Sequence, residues 1–183
     1  MELYEALDEV VISTRFLKEG AFNTQSSKES FVQIFLNNVH FTEDDVLVDV
    51  GCGVGRVLSM LHDYCRLRII GVEIDPIIAE IARDRVKGMD NVKVVTGNIL
   101  DCEQEIKDAT IFYLFNPFNS DVLDKFLALV ERIGRNDVRI IYLKDIFNQI
   151  LEQHHWEQVF RKPIGSQDKP GSGLSIWKRS SCG

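Results

Sequence analysis

The 183-residue sequence lacks the features of a membrane or secreted protein. No apolar run approaches the roughly 20 residues that span a bilayer. The N-terminus, Met1 to Glu5, has neither the basic start nor the apolar stretch of a signal peptide. This length allows one substantial hydrophobic core but not two independent ones. We therefore expect a single compact cytoplasmic domain.

The cysteines are scattered, and their spacing is not that of a metal site. The four cysteines form no C-x-x-C pair and have no histidine nearby at zinc-ligand spacing; they are Cys52, Cys65, Cys102 and Cys182. We expect free thiols in a reducing compartment and no bound metal. The sequence also lacks a phosphate-binding G-x-x-x-x-G-K-[ST] loop and a Ser/His/Asp set. His40, His62, His154 and His155 fall outside the predicted strand ends, so we interpret them as surface or packing residues.

Positive charge is in deficit, with 21 Lys and Arg against 28 Asp and Glu and a formal net charge of −7. Non-specific affinity for nucleic acid comes mostly from Lys and Arg neutralising phosphates. We therefore do not expect nucleic acid as a partner, although this composition is compatible with a local cluster of Lys and Arg at the opening of a binding site.

What the sequence does contain is a glycine-dense turn between an apolar strand and an amphipathic helix. Residues 46–50 read Val-Leu-Val-Asp-Val, and Gly51, Gly53 and Gly55 follow at alternate positions. Glycine tolerates positive φ and lets the backbone approach a ligand closely. A strand-to-helix connection normally needs one glycine at most. We interpret this turn as a ligand-binding loop, with amides of the following helix facing the ligand.

The spacing of the glycines indicates which ligand. The dinucleotide fingerprint G-x-G-x-x-G requires glycine at position 56, where this chain has Arg56. Here Asp49 precedes G-x-G-x-G instead. The stretch resembles the class I S-adenosylmethionine (SAM)-dependent methyltransferases, whose first motif is an acidic residue followed by x-G-x-G-x-G. The resemblance implies that SAM binds at Asp49, Gly51, Cys52, Gly53 and Gly55, with S-adenosylhomocysteine as product.

The remaining pattern alternates strands and helices through residues 42–179, which matches the layout of the resembled family. We predict an α/β fold: a doubly wound, mostly parallel seven-stranded sheet with helices on both faces and a C-terminal antiparallel hairpin. Residues 1–41 are predicted to form a helical extension over the active-site mouth, and residues 42–183 the SAM-binding domain. By the same resemblance Thr24 is a candidate contact for the SAM carboxylate. The alternative is that Thr24 lies in a loop between two packing helices.

Two further segments are predicted to contact the cofactor. Glu73 ends the second predicted strand about 20 residues past the glycine loop, where a ribose diol lies in this kind of fold. A carboxylate accepts hydrogen bonds from both hydroxyls, and Ile74 follows it; the alternative for Glu73 is a local cap or ion pair. The family usually has Gly-Asp after the third strand, with the acid accepting from the adenine amino group. Here Asn98 replaces the acid, and its carbonyl can accept the same bond; Ile99 packs either on adenine or in the core.

The predicted fourth strand, residues 109–115, is an unbroken apolar run that ends in Asn116-Pro117-Phe118. Carboxyl ends of parallel strands form the ligand crevice, so these residues should face the transferred methyl. The segment is similar to the Asn-Pro-Pro-aromatic motif of amino-group methyltransferases, whose Asn holds a planar amine, but it lacks the second proline. The alternative is a proline turn into the next helix. Candidate catalytic residues are Asn116 and Tyr113, with Lys144 and Asp145 at the next strand end.

These observations favour a SAM-dependent methyltransferase that acts on a small molecule or a protein side chain. An alternative is a non-catalytic SAM-binding or scaffold module, which the substitution at Asn98 favours. A nicotinamide-dependent oxidoreductase is disfavoured by Arg56.

Overall fold

The computed structural model describes residues 29–164, 171 and 173–179. The helices are α1 Glu29–Leu36, α2 Arg56–Tyr64, α3 Pro76–Arg85, α4 Glu103–Ile106, α5 Ser120–Ile133 and α6 Asn148–Gln153. The strands are β1 Val46–Val50, β2 Arg68–Glu73, β3 Val92–Thr96, β4 Ile111–Phe115, β5 Arg139–Leu143, β6 Trp156–Pro163 and β7 Gly173–Arg179, and a 3-10 turn spans Ile99–Asp101. Thr24, Cys182 and residues 1–28 of the predicted extension lie outside the described residues.

The strands form one seven-stranded sheet in the order β3-β2-β1-β4-β5-β7-β6. Strands β1 to β5 pair in parallel, whereas β7 is antiparallel to both β5 and β6. The predicted doubly wound α/β sheet with its C-terminal antiparallel hairpin is confirmed. The strand order reverses between β1 and β4, and the crevice at the carboxyl ends of these two strands is the place where ligands bind in such sheets.

Strand β4 shows why its sequence is continuously apolar. Phe112 and Leu114 pack into the cluster on one face of the sheet, together with Phe126 of α5. Ile111 and Tyr113 pack into the cluster on the other face, under α1 and α2. A central parallel strand buried on both faces leaves no solvent-facing position for polar alternation.

Helix caps set where the chain leaves the sheet. The Asp75 carboxylate accepts a 2.9 Å hydrogen bond from the Ile77 N–H at the start of α3, and Pro76 occupies the first helical position. The Asn119 side chain accepts from the Val122 N–H at the start of α5. Both helices therefore begin at the carboxyl edge of the sheet, beside the crevice. None of the described helices is long and apolar enough to cross a membrane.

Candidate active site

The glycine loop runs from the end of β1 to the start of α2 and is fixed to β2 by its backbone. The N–H groups of Gly51 and Cys52 donate to the Val72 carbonyl at 2.8 and 3.1 Å. Gly51 has φ +75°, and a methyl group there would lie 3.1 Å from Cβ of Pro117. The loop therefore lies against the exit of β4, and this close approach requires glycine.

Glu73 lies at the end of β2 and joins that strand to the glycine loop. Its Oε2 accepts a 2.9 Å hydrogen bond from the Gly53 N–H, and its Oε1 accepts a 2.9 Å bond from the Asp75 N–H. Burial raises the pKa of Glu73, although these backbone bonds oppose the rise. Among the described residues its hydrogen-bond partners are backbone amides and not a lysine or an arginine. Because the Ile74 N–H is a further backbone donor to this carboxylate, one of its four lone pairs is left for a ligand hydroxyl.

Asp49 is the second buried acid of this crevice, at 2% exposed. Its Oδ2 is buried, and no group in the described ranges forms a hydrogen bond with it. Burial, and then the charge of Glu73, raises the pKa of Asp49 to about 8. Leaving a buried acceptor unsatisfied costs about 1–3 kcal/mol. A buried carboxyl with a raised pKa and an oxygen that lacks a hydrogen bond is typical of a ligand-binding site.

Cys52 has a packing role in the loop. A methyl group at Gly71 of β2 would lie 2.7 Å from its Sγ, so the thiol fills the space above that glycine. Burial raises the pKa of Cys52 well above its ordinary value. The thiol is therefore protonated at neutral pH and is not an activated nucleophile.

The predicted adenine contacts lie after β3. The Asn98 Oδ1 accepts a 3.1 Å hydrogen bond from the Leu100 N–H and caps the 3-10 turn, which leaves one lone pair on this oxygen. Ile99 is 5% exposed and belongs to the core cluster around α5. Ile74 is half-buried at the end of β2.

Asn116 follows β4 at the crevice, with an uncommon positive φ of 41°. The Tyr142 hydroxyl of β5 donates a 3.1 Å hydrogen bond to its Oδ1. Tyr113 is 1% exposed, and its ring packs on Phe35 at 5.2 Å between centroids. The structure thus joins Asn116 to Tyr142, a residue that the sequence reasoning missed, and places the Tyr113 ring on the opposite face of the sheet from Tyr142.

Asp145 follows β5 and is fully buried in a polar cluster that holds the C-terminal hairpin. Its carboxylate accepts from Arg161 Nε at 2.7 Å, from Asn148 Nδ2 at 3.1 Å and from the Gly173 N–H at 3.0 Å. These bonds commit Asp145 to the sheet rather than to proton transfer. The preceding Lys144 has φ 55°, and its ammonium lies 5.3 Å from the Phe115 ring centroid.

Two of the histidines form hydrogen bonds with polar side chains away from the crevice. His62 contacts Asn91, and His154 lies between Asp124 and Glu131 of α5. Within the described ranges, no group of three or more His, Cys, Asp or Glu side chains could hold a metal ion.

Comparison with known proteins identifies the family. A family model described as a methyltransferase domain matches residues 47–137, from the second residue of β1 almost to β5. The chain belongs to the class I SAM-dependent methyltransferase family. The fold of this methyltransferase-family chain is shared with an RNA methyltransferase from Salinibacter ruber, solved in complex with S-adenosyl-L-homocysteine (TM-score 0.62, 20% identity, 85% of this chain and 94% of that one). It is also shared with the precorrin-6y C5,15-methyltransferase from Geobacter metallireducens (TM-score 0.66, 16% identity, 94% of both chains).

Curated relatives match over part of their length. A probable ribosomal RNA small subunit methyltransferase A from Methanosarcina barkeri is 26% identical over 90 residues, which are 49% of this chain and 31% of that protein. The ribosomal protein L11 methyltransferase from Thermotoga maritima is 23% identical over 148 residues, 78% of this chain and 55% of that protein. The chain therefore spans well under two thirds of these relatives. Because relatives named for RNA are among them, the charge-based expectation against nucleic acid is not supported.

Proposed function

We propose that this chain is a SAM-dependent methyltransferase that binds SAM in the crevice between β1 and β4. The observation that carries the proposal is the Glu73 carboxylate, buried at the end of β2 and hydrogen-bonded to the Gly53 amide of the glycine loop. SAM, when bound, supplies a methyl group activated by its positive sulfonium. The chain's own residues would provide the rest of the site.

The residues of the crevice fit the polar groups of SAM. Glu73 keeps one lone pair beside its three backbone donors and would accept a hydrogen bond from a ribose hydroxyl. Asp49 offers a buried carboxyl oxygen without a partner among the described residues, suited to the ammonium of the methionyl group. Asn98 keeps one lone pair on Oδ1 for the adenine amino group. Thr24, in the leading segment, stays a prediction for the methionyl carboxylate.

Asn116 is proposed as the acceptor-side residue, because it lies at the end of β4 next to the glycine loop. Methyl transfer needs the acceptor and the methyl held about 3–3.5 Å apart, and an enzyme achieves most of its rate by this positioning. Tyr113 was predicted with Asn116 as catalytic. Its buried ring, packed on Phe35, leaves the acceptor role to Asn116.

The acceptor is proposed to be a small molecule or a protein side chain. A relative named as a ribosomal protein L11 methyltransferase supports a protein side chain as acceptor. The names of the RNA relatives make nucleic acid an outcome that an acceptor screen must include. The rival function, a scaffold that binds SAM without turnover, is distinguished by whether S-adenosylhomocysteine accumulates when acceptors are added.

The test is calorimetric binding of SAM, S-adenosylhomocysteine and NAD to the wild type and to Glu73→Gln. We expect the first two ligands to bind and NAD not to bind. Loss of one charged hydrogen bond in the variant should weaken SAM binding about ten- to a hundredfold. Glu157→Gln, at an exposed position on the edge strand β6, is the matched control and should bind SAM like the wild type. Unchanged SAM affinity in Glu73→Gln would contradict the ribose assignment.

A further inference from the structure

Two buried acids lie on the same face of the sheet, at the crevice. Asp49 of β1 is the register partner of Gly71 of β2, and Glu73 follows two residues later on β2. Because side chains alternate along a strand, Glu73 projects from the face that carries Asp49. Neighbouring carboxylates in a buried site disfavour each other's charge. One of the two therefore retains a proton unless a cation lies beside them.

Backbone donors determine which of the two acids is the anion. Three N–H groups donate to the Glu73 carboxylate. They belong to Gly53, Ile74 and Asp75. Hydrogen bonds of this kind stabilise the charged form of a carboxyl group. The negative charge of the pair therefore resides on Glu73.

Asp49 lacks such donors. The nearby N–H groups of Gly51 and Cys52 donate to the Val72 carbonyl instead. The Asp49 Oδ2 atom is buried and forms no hydrogen bond within the described ranges. Burial, and then the charge of Glu73, raises the pKa of Asp49 to about 8. About 90% of ligand-free molecules therefore hold this proton at pH 7.

The other titratable groups around Asp49 supply no positive charge to it. Tyr113 of β4 is its register partner on the side opposite Gly71, and the Cys52 thiol stays protonated because burial raises its pKa. The charge of Arg83, on α3, acts on Cys52, but this guanidinium forms an ion pair with Glu80. In the part of the chain that the structure describes, no lysine or arginine pairs with Asp49. The missing cation must come with a ligand.

We propose, on the basis of the proposed methyltransferase function, that Asp49 exchanges its proton for the methionyl ammonium of SAM, so that filling the cofactor site releases a proton. The O–H bond of the Asp49 carboxyl breaks, its electron pair stays on oxygen, and the proton passes to the buffer. The ammonium keeps its own protons and donates a charged hydrogen bond to the new carboxylate. No other bond changes. Asp49 thereby links occupancy of the cofactor site to pH: SAM affinity should rise about tenfold per pH unit up to pH 7.

The test is calorimetry of the full chain at pH 7 in phosphate, MOPS and imidazole, whose heats of ionisation differ. The dependence of the observed heat on the buffer gives the number of protons released per ligand bound. SAM and S-adenosylhomocysteine both carry the ammonium, and each should release about one proton. 5′-Methylthioadenosine keeps the adenine and the ribose but has no ammonium, so it should release far less. Equal release with this ligand would assign the proton to Glu73 and overturn the inference.

Two variants locate the proton. Asp49→Asn should bind SAM with about one proton fewer released than in the wild type, and its SAM affinity should depend less on pH between 5.5 and 7. Asp44→Asn removes an exposed acid in the turn before β1 and should match the wild type in both respects. Unchanged proton release in Asp49→Asn would overturn the inference. If that variant does not fold, the comparison of SAM with methylthioadenosine in the wild type decides the question.

A second readout does not depend on heats. In protein labelled with 13C at the aspartate carboxyl groups, the Asp49 signal is identified by its loss in Asp49→Asn. In the ligand-free protein this signal should titrate with a pKa of about 8, and with S-adenosylhomocysteine bound it should be that of an ionised carboxylate at pH 7. Titration of the ligand-free signal near the ordinary value of 3.8 would contradict the exchange.

The same experiments distinguish this inference from the proposed function. If SAM, S-adenosylhomocysteine and methylthioadenosine produce no binding heat in any of the buffers, the proposed function fails and the inference fails with it. If SAM binds without releasing a proton, the inference fails alone.

Discussion

Replacing Asp49 with asparagine should stabilise the protein at neutral pH and destabilise it at acid pH. The pKa of Asp49 is about 8 in the folded chain against an ordinary value of 3.8, because the carboxyl is buried and lies near Glu73. The folded state therefore holds this proton more tightly than the unfolded state. The stability it contributes is fully present below about pH 4 and is lost as the pH rises toward 8.

The size of the stability change follows from the pH range between the unfolded and the folded pKa of Asp49. One pKa unit corresponds to 1.36 kcal/mol, so about three pH units between 4 and 7 remove about 4 kcal/mol from the free energy of unfolding of the wild type. Asparagine does not ionise, but its NH2 buries one more hydrogen-bond donor than the protonated carboxyl does, at a cost of about 1–3 kcal/mol. The variant should therefore be more stable than the wild type by about 1–3 kcal/mol at pH 7 and less stable by a similar amount at pH 4.

The assay is urea denaturation at a series of pH values from 4 to 8, with the free energy of unfolding taken from each curve. Asp44→Asn removes one formal charge at an exposed position in the turn before β1 and is the matched control. The curves of stability against pH should cross for wild type and Asp49→Asn, and should run parallel for wild type and Asp44→Asn. Parallel curves for Asp49→Asn would refute the assignment of a buried, proton-retaining carboxyl.

Three further predictions concern the framework of the site. Gly51→Ala places a methyl group 3.1 Å from Cβ of Pro117 at a positive φ, so it should lower the thermal midpoint by the equivalent of about 1–2 kcal/mol or more; an unchanged midpoint would contradict the loop geometry. Burial lowers the pKa of His154, but hydrogen bonds to two carboxylates outweigh burial, and the net effect is a raised pKa. His154 therefore stabilises the fold below its unfolded pKa of about 6.5, and this stabilisation is lost as the pH rises through the folded pKa. His154→Gln should remove this pH dependence from thermal melts, and a melting profile identical to that of the wild type would count against it. Arg161→Met leaves the Asp145 carboxylate buried without its cation and should cost about 3–5 kcal/mol in chemical denaturation; a cost below 1 kcal/mol would show that the pair does not hold the hairpin.

Much of the fold, and the position of Glu73 beside the glycine loop, was predictable from local sequence. The Gly51-x-Gly53-x-Gly55 spacing was informative because glycine adopts positive φ readily, so the glycine positions show where the backbone needs that conformation. Glu73 was predictable because a strand end is visible as the end of an apolar run, and parallel strands bring their carboxyl ends to one edge of the sheet.

The acceptor half was not predictable to the same depth. Asn116 was located, but its hydrogen-bond partner Tyr142 lies 26 residues later in the chain and on another strand. Asp145 had the sequence position of an acceptor-side residue, yet Arg161 and Gly173 of the hairpin take up its carboxylate. Tyr113 stands three residues before Asn116, but strand alternation places its ring on the face that packs against Phe35. Such pairings are tertiary, and no local pattern encodes them.

The most direct test of the central claim is isothermal calorimetry of SAM with the purified chain, run beside Glu73→Gln, Glu157→Gln and NAD. The account predicts saturable SAM binding in the wild type and in Glu157→Gln, affinity about ten- to a hundredfold weaker in Glu73→Gln, and no heat with NAD. Absence of SAM binding, or binding of NAD in its place, would contradict the assignment of this crevice.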